Sequence, residues 1–311
     1  MLLDLGAIVL GLGLLLIGGD LLVRGAVALA LRLGVAPLIV SLTVIALGTS
    51  APELLIAVDA VLTGAPDLAF GNVVGSNVAN VLLVLGVPAL IAPLAATGKG
   101  ARRTFGYMIG ATLLLIGFSF AGPVGVIQSA IMLAFFTYFI GDTIRLSRSG
   151  QIQAEDAEEL APEMPGWKLA GFLLAGLVFL PVGADVMVGG AVRVAQALGI
   201  SEAVIGLTIV AVGTSLPELA TTVIAAMRRE AAVAIGNVIG SNLFNILFIL
   251  GVAGLVGELP PPERFLTFDL WVMLGAALAL GPAILLRRPI TVVWGIAFLV
   301  AYGFYLGSLV I

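Results

Sequence analysis

Long apolar runs alternate with short polar breaks along the chain. Read in segments long enough to cross a bilayer, about 20 residues, the pattern predicts spans over 5–30, 36–62, 68–95, 104–121, 123–144, 168–192, 203–227, 231–257, 266–286 and 289–310. Polar residues recur inside some of these spans at helical spacing. In the third, Asn72, Ser76 and Asn80 are four apart and share one helix face. In the eighth, Asn237, Ser241 and Asn245 repeat that stripe. In the second, GTSAPELL at 48–55 sets a proline and a glutamate inside an apolar run, and GTSLPELA at 213–220 does the same in the seventh.

The echo is systematic. Asp20–Gly86 aligns with Asp185–Gly251 at a constant offset of 165 without a gap, and 30 of the 67 positions are identical. Chance likeness between two apolar segments yields scattered Leu and Val, whereas here Glu, Pro, Asn and Ser coincide. Five spans in each half is an odd number, so the halves enter the membrane from opposite sides. The expected fold is therefore all-α, ten transmembrane helices as an inverted five-plus-five repeat with helices 2 and 7 interrupted. That is a recurring transporter architecture with its site at the midplane. The halves are 1–144 and 168–311, joined by an acidic linker at 145–167.

Composition fixes the solvent. The 311 residues are 61% hydrophobic and 10% charged, against about 25% charged in soluble domains. The N-terminal run lacks a basic leader and a clear cleavage site, so it is kept as a structural span. Arg32, Lys99, Arg102, Arg103, Arg145, Arg148, Lys168, Arg228, Arg229, Arg287 and Arg288 follow odd-numbered spans, whereas Arg193 and Arg264 follow even-numbered ones. The positive-inside rule then puts both termini outside and the linker in the cytoplasm. No Cys and no His occur, which removes disulfides, thiolates and imidazole ligands and leaves an intramembrane enzyme without an evident base. Nothing points to nucleic acid or to an obligatory protein partner, and no cofactor is expected.

The motifs carry oxygen chemistry. Pro52 has no N–H for the carbonyl of Gly48, and Pro217 repeats this at Gly213, so both helices should break and free carbonyls. Non-helical backbone at membrane depth is tolerated only inside protein or along a wet cavity. Glu53 and Glu218, with Thr49, Thr214, Ser50, Ser215 and the stripe amides, make a hard-oxygen set suited to Ca²⁺ and similar cations. Asn72 and Asn237 are weaker members. Asn77 and Asn242 point about 100° from the stripe, leaving helix packing and site lining as alternatives. The matched Asp20 and Asp185 read as interfacial or structural.

With its doubled GTS-PE and GN--GSN--N motifs on a five-plus-five chain, the sequence resembles the sodium/calcium exchangers of the cation/calcium antiporter superfamily, most closely the short prokaryotic type. The resemblance covers nearly the whole chain. It implies that Glu53 and Glu218 are shared by Ca²⁺ and Na⁺, with the Thr49 and Thr214 carbonyls joining them around Ca²⁺. It also implies outlying Na⁺ sites at Ser50, Ser76 and the Ala46 carbonyl, and at Ser215, Ser241 and the Ala211 carbonyl. Asn80 and Asn245 would line the centre, and Asn245 matches the potassium-independent pattern. The implied function is secondary antiport of about three Na⁺ for one Ca²⁺ in the cell membrane, by alternating access, with the lipid bilayer as its setting. A divalent cation/H⁺ antiporter is the alternative, and a cation channel is a further one.

Overall fold

The computed structural model describes residues 1–95, 100–148, 164–199 and 211–310, and within them the chain is helical without strands. In order the helices are α1 (Leu2–Leu33), α2 (Pro37–Thr49), α3 (Ala51–Leu62), α4 (Pro66–Ile91), α5 (Ala101–Ala121), α6 (Val126–Arg148), α7 (Gly166–Ala197), α8 (Leu216–Met227), α9 (Ala231–Val256), α10 (Phe265–Leu285) and α11 (Val292–Val310). Eight of them cross a membrane by length and apolarity, and α2 with α3 forms one further span bent by 45°. The short α8 follows a helical turn at Ala211–Gly213. Residues 203–210 of the predicted seventh span, Lys99 and most of the acidic linker lie outside the described residues.

The inversion is visible in the loops. Leu94 pairs with Ile290, and Val124 with Leu259, as isolated antiparallel bridges. The N–H of Leu94 donates to the Ile290 carbonyl at 3.0 Å, and that of Val124 to the Leu259 carbonyl at 3.0 Å. Leu94 and Leu259 are 165 residues apart, the offset of the repeat. Because α5 runs from the first bridge to the second, equivalent residues sit at opposite ends of the bundle.

Burial ranks the spans. The most apolar windows of α4 and α9 are 72% and 83% buried, while those of α7 and α11 are each 22% buried. The helices with the polar stripes thus form the centre, where a polar side chain has protein rather than lipid for a neighbour.

The long pair α1 and α7 cross closely outside that centre. Each has 32 residues, or about 48 Å of helix, longer than the hydrocarbon core. Glycine sets the crossing distance. A Cβ on Gly183 would lie 2.9 Å from the Gly11 carbonyl oxygen, and one on Gly11 would lie 2.6 Å from that of Gly183. The helix α1 also packs along α8, where a Cβ on Gly19 would meet the Ala220 carbonyl oxygen at 3.3 Å. Asp20 accepts Nε–H bonds from Arg24 at 2.9 Å and from Arg228, just past α8, at 2.7 Å. Asp20, one of the two matched acids, is thus held in ion pairs, whereas Asp185 makes none among the described residues. On the equivalent side α7 stands away from α3, and a cavity of about 430 Å³ opens there.

Overpacking the crossing should destabilise the protein by about 1–3 kcal/mol. Gly183→Leu is expected to lower the melting temperature in detergent, while Gly13→Ala, whose added carbon meets nothing within 4 Å, leaves it unchanged. Equal melting of both variants with wild type would show that the crossing is loose.

Candidate functional site

The two interrupted helices break at equivalent residues. Ser50 has φ −91° and ψ 7°, and Ser215 has φ −89° and ψ 5°. The break falls between the glycine and the proline that cause it. Each new helix begins one residue later, with Pro52 or Pro217 in its opening turn and Glu53 or Glu218 just behind. Proline is at ease in a helix's first turn, where its missing N–H would go unused.

Locally, Ser-x-Pro-Glu reads as a capping box, in which the serine hydroxyl would hold the backbone N–H of the glutamate. Neither serine does so. The Ser50 hydroxyl instead donates across the repeat to Glu218 Oε1 at 3.1 Å. The Ser215 Oγ, its counterpart, has no hydrogen-bond partner. The expected freeing of carbonyls is also qualified. The Ala46 carbonyl accepts the Ser50 N–H at 3.0 Å, and the Thr49 hydroxyl lies 3.4 Å from it, so it keeps one bond within its own helix and a second lone pair to offer. The side-chain surroundings of Ala211 lie outside the description.

Behind the breaks, the stripes on α4 and α9 hold the glutamate backbones. Asn72 Nδ2 donates to the Glu53 carbonyl at 3.5 Å, and Asn237 Nδ2 to the Glu218 carbonyl at 3.4 Å. These are the same bond in the two halves. Asn237 also donates to Thr222 Oγ1 at 3.2 Å and accepts from the Thr49 hydroxyl at 3.5 Å. Asn72 and Asn237, the weaker site candidates of the sequence, are thus supports for the carboxylate-bearing backbone. Asn72 is half-buried and Asn237 fully buried.

The centre is polar and short of partners. Glu53 and Glu218 are each 1% exposed, and among the described residues no Lys or Arg pairs with either. One oxygen of each, Oε2, lacks a hydrogen bond, as do Ser241 Oγ, Asn80 Oδ1 and both polar atoms of Asn245. Ser76 is buried on α4, and Thr214 is half-buried. Buried polar groups nearly always have partners, so this concentration of unsatisfied oxygens suits a bound cation. Among the described residues no group of three Asp, Glu, His or Cys forms, so the carboxylate charge here is that of the two glutamates.

Asn77 and Asn242, left open by the sequence, join the halves. Asn80 Nδ2 donates to Asn242 Oδ1 at 3.0 Å, and Asn242 Nδ2 donates to the Asn77 carbonyl at 3.4 Å. The symmetric counterpart, an Asn245 amide on Asn77 Oδ1, is absent, and both of those atoms are unpartnered. Backbone explains the difference. Asn245 sits in a π-helical stretch, Phe244–Ile249, whereas Asn80 lies in regular α-helix. One extra residue in a turn re-aims the side chains behind it, and such stretches are frequent at functional sites.

Two inverted, broken helices that bring a pair of buried, unneutralised carboxylates together define the core of a secondary transporter for cations. The comparisons narrow the class. The sequence profile described as sodium/calcium exchanger protein matches residues 3–141 and 168–310, and the chain belongs to that family. The sodium/calcium exchanger MaX1 of Methanosarcina acetivorans is 32% identical over 310 residues, covering 88% of this chain and 89% of the relative. The inner membrane protein YrbG of Escherichia coli is 35% identical over 270 residues, covering 84% of this chain and 83% of that one. The solved structure of the sodium-calcium exchanger NCX_Mj soaked with Na⁺ and Ca²⁺ superposes with a TM-score of 0.86 at 32% identity, covering 99% of both chains. The protein is an integral membrane cation/Ca²⁺ antiporter rather than an enzyme.

Asn237→Ala should cost about 1–3 kcal/mol, because it strips partners from buried polar groups. Asn72→Ala, at the half-buried equivalent, should cost less. Thermal unfolding with and without Ca²⁺ checks this, and the Ca²⁺-induced rise in melting temperature is expected to shrink in Asn237→Ala. A full Ca²⁺ shift in that variant would separate the amide from the site.

Proposed function

We propose that the protein exchanges Na⁺ for Ca²⁺ in the cell membrane by alternating access at one shared site, with about three Na⁺ moved per Ca²⁺. The observation that carries this reading is the pair of buried glutamates without a cationic partner. Two carboxylates set a charge of −2, which one Ca²⁺ cancels and Na⁺ ions can cancel in its place, but not both together. The family's named exchangers, MaX1 and NCX_Mj, favour Na⁺ as the coupling ion. Glu53 and Glu218 are the central ligands of both ions, joined by the Thr49 and Thr214 carbonyls. Ser50, Ser76, Ser215 and Ser241, with the carbonyls of Ala46 and Ala211, hold the outlying Na⁺ ions, and Asn80 and Asn245 line the middle. An unloaded site would carry its charge uncompensated, and a bare charge at membrane depth costs at least a few kcal/mol. That cost ties reorientation to loading.

The unequal halves supply the alternation. Packing of α1 on α8 closes one side, while the cavity between α7 and α3 opens the other. An inverted repeat reaches the opposite state when the halves trade conformations. With both termini outside, as the charge distribution implies, the open side faces outward.

In proteoliposomes, ⁴⁵Ca²⁺ uptake is expected to require an outward Na⁺ gradient, and Glu53→Gln or Glu218→Gln to abolish it while the protein stays folded. Uptake driven by a pH gradient without Na⁺ would replace Na⁺ by H⁺ as the coupling ion. Near-normal uptake in either mutant would remove that glutamate from the site.

Three Na⁺ on two carboxylates cross with one net positive charge, worth about 2.3 kcal/mol per 100 mV. A K⁺/valinomycin clamp that makes the vesicle interior positive should therefore speed Ca²⁺ uptake into Na⁺-loaded vesicles. A flux indifferent to voltage would mean two Na⁺ per Ca²⁺.

A further inference from the structure

We propose that Asp185 is the cation-collecting group of the passage leading to the Glu53–Glu218 site; this deepens the antiport reading above and rests on it. The passage is the cavity of about 430 Å³ between α7 and the two helix breaks. Gly48 and Pro52 flank the first break in its wall, and Gly213, Thr214 and Pro217 flank the second. The cavity therefore reaches the residues on either side of Ser50 and Ser215, one residue along the chain from each glutamate, while the two buried carboxylates lie behind its wall. The rest of its lining is apolar, and Asp185 is the one ionisable residue in it.

The depth of Asp185 decides what it faces. It stands 19 residues after Gly166 and 12 before Ala197 in α7, or about 28 and 18 Å from the two ends. It is nonetheless exposed. A carboxylate at that depth cannot sit against lipid without a cost of a few kcal/mol, so a water-filled cavity is the environment that permits it. The exposed acid and the cavity beside it thus point to one wet route.

The repeat shows that this acid is left without a counter-charge. Its counterpart Asp20 is held by Arg24 and Arg228. The positions that would supply those partners to Asp185 are Gly189 and Thr63. Arg193, two turns along α7, is bonded to Asp4 at 2.7 Å, and Asp185 makes no ion pair among the described residues. The other titratable groups on the facing helices are the buried Glu53 and Glu218 and, near the end of α3, the exposed Asp59. All are acids, and the one base on this stretch of α7, Arg193, lies against Gly189 but is paired with Asp4. A cleft with charge of one sign and low-dielectric walls concentrates its counter-ions. Asp185 raises the local concentration of Ca²⁺ and Na⁺ ahead of the binding step and takes no part in holding the occluded ion.

The test is the initial rate of Na⁺-driven ⁴⁵Ca²⁺ uptake against Ca²⁺ concentration, for wild type, Asp185→Asn and Asp185→Glu, at low and high choline chloride. Asp185→Asn should raise KM about threefold or more at low ionic strength and leave kcat unchanged. Screening should shrink the gap as choline chloride is added, and Asp185→Glu should keep the wild-type KM. If Asp185→Asn does not fold, Asp185→Ser is read in its place. An unchanged KM, a fall in kcat alone, or a KM change indifferent to ionic strength would overturn the proposal and leave antiport standing. Absence of Na⁺-driven uptake in the wild type would overturn both.

Discussion

Two carboxylates buried together without a positive partner are the constraint on which the rest depends. Even with an effective dielectric constant near 20, two unit charges about 4 Å apart repel by roughly 4 kcal/mol. Taking each ion out of water adds several kcal/mol more. A soluble protein would answer with an arginine. Here the described residues supply hydroxyls, amides and carbonyls, so the charge is left for a mobile cation to balance. Stability and function are therefore linked, since an ion that binds only the folded site stabilises it by mass action.

The backbone is arranged around that demand. A continuous helix would consume its own carbonyls and N–H groups, and a proline two residues past each break prevents this. The break also places each glutamate in the first turn of a new helix, where the positive end of the helix dipole favours negative charge. Of the two serines placed to cap those turns, Ser50 is turned toward the other half's glutamate, and the Ser215 hydroxyl makes no hydrogen bond. Such departures from local preference are found where a functional requirement outweighs them. The asparagines of α4 and α9 then fix the glutamate backbones from behind, so that the carboxylates are held by buried helices rather than by loops.

Much of this was legible in the sequence because the gene wrote it twice. One Pro-Glu pair in an apolar run is ambiguous, but the same pair at a constant offset, with its Asn and Ser stripes, specifies broken helices and a shared polar centre. The spans and the sodium/calcium exchanger resemblance followed from the same residues. What the repeat could not show is where the halves differ. The offset that matches Asp20 to Asp185 sets Arg24 against Gly189 and Arg228 against Thr63, but only the packing of α1, α7 and α8 shows that Arg228 reaches Asp20 and that a cavity opens beside Asp185. Helical spacing set Asn77 and Asn242 off the stripe, yet the packing of α4 on α9 brings Asn242 against Asn80, and the π-helical stretch at Phe244–Ile249 leaves Asn245 without the equivalent bond to Asn77. The breaks were expected from Gly48, Pro52, Gly213 and Pro217, but the capping-box pattern gave no hint that Ser50 would turn across the interface. These features depend on contacts between helices far apart in sequence, and the identical motifs carry no information on them.

The most direct test of the central claim is equilibrium binding of ⁴⁵Ca²⁺ to the purified protein in detergent as Na⁺ is raised. A single shared site predicts one Ca²⁺ per chain, displaced completely by Na⁺ with a Hill coefficient above one. Two Ca²⁺ per chain, or Ca²⁺ that remains bound at saturating Na⁺, would contradict it.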